Sequence, residues 1–113
     1  MTEEKLNHLL EGLRSATREG RLQWEPIKDG SQGFALLLNS ARVDITPEID
    51  VVGGRTFLVT IRNQVGLPVE IFPFVMGDAQ YDLVREVYGL ARNKASGVDE
   101  MIDSIIAEVA GTK

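Results

Sequence analysis

From residue 77 to residue 110 the apolar side chains return every three or four positions. At 100° per residue, Leu83, Val84, Val87, Leu90, Ala91, Val98, Met101, Ile102, Ile105 and Val109 fall on one side. Asp82, Arg85, Glu86, Arg92, Asn93, Glu100, Asp103 and Ser104 fall on the other. The phase continues across Gly97, which predicts either one long amphipathic helix or two helices burying a single stripe. An unbroken helix over residues 78–110 would run roughly 50 Å, whereas a six-residue strand spans about 20 Å. A sheet of ordinary strands cannot cover such a length. Ser96-Gly97-Val98-Asp99 favours a break, with Gly97 ending the first helix in the left-handed region and Asp99 capping a second. On either reading Met101, Ile102, Ile105, Ile106 and Val109 are too many apolar groups to leave wet. They are expected to be buried within the fold or across a dimer.

The N-terminal segment is also helical, over about residues 3–18. Thr2 stands at the N-cap position, Glu3 and Glu4 suit the first turn, and Leu6, Leu9, Leu10 and Leu13 form a narrow stripe. Gly20 supplies a stop. Thereafter the period becomes two. Leu22 and Trp24 alternate with Gln23 and Glu25 before a Lys28-Asp29-Gly30 turn, and residues 33–39 make a second strand. In residues 42–49, Val43, Ile45, Pro47 and Ile49 point one way and Arg42, Asp44, Thr46 and Glu48 the other. Pro47 has no N–H for a ladder, so this strand is expected at an edge or ending near that residue. A Val52-Gly53-Gly54-Arg55 turn leads to residues 56–62, with Phe57, Val59 and Ile61 on one side, and residues 67–74 form the last strand. Short turns between successive strands predict an antiparallel meander. The order is α+β: an N-terminal helix, a four- to five-stranded sheet, and a closing helix or helix pair on one face. At 113 residues it is expected to be a single domain.

Ala35, Leu37, Leu58, Phe72 and Phe74 fall out of phase with the sets assigned to the core. They imply that the face away from the helices is not purely polar. Either helix one or the chain ends cover it, or it meets another molecule. Leu37, Leu58, Phe72, Phe74, Met101 and Ile105 are therefore the candidate interface residues.

Composition narrows the function classes. There is no cysteine, which removes disulfides and thiolate chemistry, and the N-terminus, acidic at its start, is no secretory signal. No apolar run approaches the roughly 20 residues of a membrane span. A cytoplasmic setting is expected. The net charge of −5 argues against a nonspecific nucleic-acid binder. From residue 70 onward eight acidic residues stand against four basic ones, which fits a solvated face or a surface that steers a basic partner. The single histidine, His8, lies on the polar side of its helix, away from any nucleophile. Asp78, Asp82 and Glu86 line one side of a helix, as do Asp99 and Asp103, but Arg85, Arg92 and Lys94 neighbour them as salt-bridge partners. Gly53-Gly54 lies between strands and Gly77 is followed by no lysine, so neither forms a phosphate loop. No cofactor or metal site is expected, and no catalysis.

The segment from Tyr88 to Asp103, YGLARNKASGVDEMID, together with Leu22-Gln-Trp-Glu after the first helix, resembles small uncharacterised bacterial and phage proteins. Those pair an N-terminal helix with a sheet and a closing Ala-Arg-x-x-Ala-x-Gly-Val-Asp helix. The resemblance covers both ends of the chain and implies the helix–meander–helix order, with no activity attached. The expected role is a non-enzymatic interaction module, a homodimer or a binder of another protein. The alternative is a small-ligand domain with a pocket lined by Trp24, Phe57 or Tyr88.

Overall fold

A computed structural model describes residues 3–49 and 55–111, without the side chains of Ile49, Val98 and Asp99. The Thr2 cap, the Val52-Gly53-Gly54 turn and the proposed Asp99 cap thus lie outside the described residues. The order is α1 (Glu3–Arg18), β1 (Trp24–Pro26), β2 (Phe34–Leu37), β3 (Arg42–Ile49), β4 (Arg55–Arg62), β5 (Pro68–Val75), α2 (Tyr81–Ser96) and α3 (Val98–Gly111). The five strands form one antiparallel sheet in sequence order.

Helix α2 packs across one face of the sheet and α1 packs on α2. Rows of facing residues build the core: Trp24, Leu36 and Val43 pair in register, as do Phe34, Ile45, Val59 and Phe72, and Phe57 with Phe74. Against them lie Val84, Val87 and Ala91 of α2 and Leu10 and Leu13 of α1. The Trp24 indole N–H donates to the Thr17 hydroxyl at 2.9 Å, both groups buried, so the end of α1 is tied to the first strand. That bond satisfies two polar atoms that would otherwise be stranded in the core. Phe57 lies 5.6 Å from Tyr81 and 5.1 Å from Tyr88, in tilted ring contacts.

The edge expected at Pro47 takes a local form. Strand β3 is third of five, yet β2 pairs with it only from Arg42 to Ile45. Residues 46–49 therefore have a partner on the β4 side alone. On its β2 side Pro47 has no ladder bond to break. The loop before β2 folds over this same end. A Cβ on Gly33 would stand 2.5 Å from Thr46 Cγ2 and 3.0 Å from the Ile45 carbonyl oxygen. Gly33→Ala is accordingly expected to lower the unfolding free energy by about 1–3 kcal/mol, the usual cost of overpacking, read as a drop in urea midpoint at constant slope. In the preceding turn Asp29 accepts the Ser31 N–H at 2.9 Å. Hydrogen bonding from Ser31 holds that carboxyl below its ordinary value.

His8 is exposed on α1. His8→Ala should change stability by no more than about 0.5 kcal/mol, which a thermal melt at neutral pH would check.

Gly97 settles the form of the C-terminal run. Its φ of 66° is left-handed, and its N–H returns to the carbonyls of Asn93 and Lys94 to close α2. The Gly97 carbonyl then accepts the Met101 N–H at 2.9 Å as the first turn of α3. There are two helices, with one residue between them. Burial of the second within its own subunit, one of the two expectations, is not what is found. Residues 100–111 are all exposed. The radius of gyration is 15.9 Å, against about 13 Å for a compact chain of this length.

Candidate interaction surface

Two apolar surfaces remain open. The first is the stripe on α3: Met101, Ile102, Ile105, Ile106 and Val109 are between 47% and 72% exposed. Their 3- and 4-residue spacing places them on one flank of a helix. The charged groups are all acids; the segment from Val98 to Gly111 carries four acidic and no basic residues.

The second surface is the outer face of the sheet, on the side away from α2. In register across β4 and β5, Thr60 faces Ile71, Leu58 faces Pro73 and Thr56 faces Val75. Ile71 and Val75 are about half exposed, at 54% and 45%. Toward the middle of the sheet this face turns polar. Arg42 Nε donates to Asp44 Oδ1 at 2.6 Å and Arg62 Nε to Asp44 Oδ2 at 2.9 Å, with Asp44 buried between them. Two guanidinium groups on one carboxylate leave this cluster a net charge of +1. The charged pairs roof Ala35 and Thr60, which are buried without any helix over them. A groove of about 320 Å³ runs past Arg42, Asp44, Leu58 and Arg62.

The six candidate interface residues divide. Met101 and Ile105 lie exposed on α3, and Leu37 is exposed at the end of β2. Leu58 is half-buried on the outer face. Phe74 and Phe72 face the other way. Phe74 is buried in the core opposite Phe57, and Phe72 packs on that core opposite Val59. The reason is that β5 is apolar on both sides: Ile71, Pro73 and Val75 on one, Phe72 and Phe74 on the other. Alternation alone does not say which side is inward; the aromatic pair, with more area to bury, took the core. Ile71 and Val75 are the surface residues that this inversion hid, although their own period-two spacing marks them as a set.

The ligand-pocket alternative finds a partial counterpart. A cavity of about 230 Å³ is lined by Gln32, Pro47, Arg55, Phe57, Tyr88 and Arg92 among others. Tyr88 closes it by donating its hydroxyl to the Gln32 carbonyl at 2.7 Å, where Gln32 itself holds a positive φ of 60°. Trp24 is not part of it, being sealed in the core. The volume is below the roughly 300–1,000 Å³ usual for small-molecule sites.

Of the two acidic residues of α2, Asp82 is exposed and Glu86 is paired. Glu86 pairs with Arg14 at 3.7 Å and also with Arg18, joining α2 to α1. Asp78 precedes the helix and accepts the Val75 N–H at 2.8 Å. Among the described residues no three of His, Asp and Glu are grouped to hold a metal, and no helix is long and apolar enough to cross a membrane. Comparison with known protein families, curated proteins and solved structures finds no match for this chain.

Proposed function

We propose that this chain is a non-enzymatic interaction module that self-associates, with α3 as the principal contact. One observation carries the reading: a helix patterned for burial leaves its apolar stripe, residues 101–109, about half or more exposed on a single copy. A helix of 14 residues is marginal in water by itself, since nucleation is costly and each added bond repays little. An exposed apolar stripe adds nothing to its stability until something lies against it. A second copy is always present at the concentration of the first, and homo-oligomers of two-fold symmetry are the commonest soluble assemblies. The small volume of the Phe57–Tyr88 cavity weighs against the ligand-binding alternative. A cytoplasmic setting and a bacterial or phage source belong to this reading through composition and sequence resemblance alone. Light scattering or native mass spectrometry over a concentration series tests it. A mass fixed at the 12.5 kDa of one chain at every concentration would overturn it.

A further inference from the structure

We infer that the two copies associate by exchange, the α3 of each lying along the outer face of the other's β4–β5 pair. The inference rests on the self-association reading and specifies its geometry. Four observations point to it.

The two open surfaces match in length and kind. Helix α3 is about 21 Å long, and an eight-residue strand such as β4 or β5 about 26 Å. A helix stripe and a sheet face are the ordinary complementary layers of an α+β core. Here each is present and neither is covered.

The chain cannot make this contact with itself. Helix α2 covers the inner face, and only Gly97 separates it from α3. One residue is no linker for carrying a helix round the edge of a sheet to its far side.

Area favours exchange over pairing α3 with α3. The five side chains of one stripe, at roughly 60–120 Å² each, offer about 300–600 Å². Two stripes facing each other give about 600–1,200 Å², at or below the low limit of a stable interface. Exchange makes two helix-on-sheet contacts by symmetry and so about doubles that figure, covering both the α3 stripe and the β4–β5 strip on each copy.

Charge agrees. Pairing two α3 helices sets four acids against four acids, whereas the outer face sets Arg42 and Arg62 among Asp29, Asp44 and Glu48 and so opposes α3 less. Like charges cost association and unlike ones direct it.

The absence of cysteine permits a direct test. Ile71 and Ile105 lie near the middle of β5 and of α3, so they approach in the exchanged dimer whichever way the helix runs. Ile71→Cys and Ile105→Cys chains, one of them ¹⁵N-labelled, would be mixed, equilibrated and treated with a short bismaleimide. Exchange predicts a linked product of twice the single-chain mass that contains one labelled and one unlabelled chain. Ile105→Cys chains linking only to one another, with none joined to Ile71→Cys, would overturn exchange while leaving self-association intact. Pro73→Cys with Ile106→Cys, also near the two centres, repeats the measurement if either first variant proves unstable. A monomeric mass before any reagent is added would instead remove the underlying reading.

Discussion

Ile102→Glu combined with Ile105→Glu should yield a protein that runs at the mass of one chain and melts like the isolated body. Each isoleucine is about half exposed on a single copy, so neither is part of the core that α1, α2 and the sheet enclose. The cost falls on assembly. Each is already about half buried, so covering it is worth roughly 0.8–1.5 kcal/mol, and a symmetric dimer loses four, which weakens association by about 10²- to 10⁴-fold before the carboxylates' own desolvation is counted. The body, by contrast, should change by no more than about 0.5 kcal/mol, as exposed positions usually do. Mass by light scattering and unfolding at a concentration where wild type is assembled separate the two effects. A variant with both the wild-type mass and the wild-type melting temperature would show that the stripe is idle, and with it the proposed function would go.

Truncating the centre of the sheet has the opposite signature. Ile45→Ala and Val59→Ala should each lower the unfolding free energy by on the order of 2–4 kcal/mol and leave any residual folded protein's self-association unchanged. Both side chains are at 0% exposure, and they face each other in register on the side that α2 covers. Neither site has solvent into which the cavity can open, and close-packed neighbours relax only in part. Urea midpoints with unchanged slope measure the loss. A loss of less than about 1 kcal/mol at both positions would mean that the faces of β3 are inverted, since a one-residue slip carries a strand's whole apolar set to the other side.

The elements were legible where one period dominates. The α1 boundaries and those of β3 follow from patterns with one apolar face each, and Gly97 marked the break that the helical phase concealed. The reading faltered at β5, where Ile71 and Phe72 compete for the inside and only pairing with Val59 and Thr60 decides between them. For α3 the stripe itself was plain, but a stripe states that cover is needed and not what provides it. That answer depends on where the preceding helix ends and on how little chain follows it before the next begins. Asp44 was hidden for another reason. A buried carboxylate outside the core reads in sequence as a surface acid, and only the register that brings Arg62 beside Arg42 gives it two partners.

The meander has a kinetic consequence. Because each strand pairs with the strand next to it in sequence, every rung of the sheet closes a short loop. Hairpins can form and lengthen one after another, with little chain entropy spent at any step. The exceptions are the closures onto α2, where α1 and the first strands meet it from the other end of the chain through contacts such as Arg18 with Glu86 and Tyr88 with Gln32. Those closures must span most of the meander, and they become inexpensive only after the strands have drawn the ends together. The sheet therefore works as the device that shortens the search for its own helices.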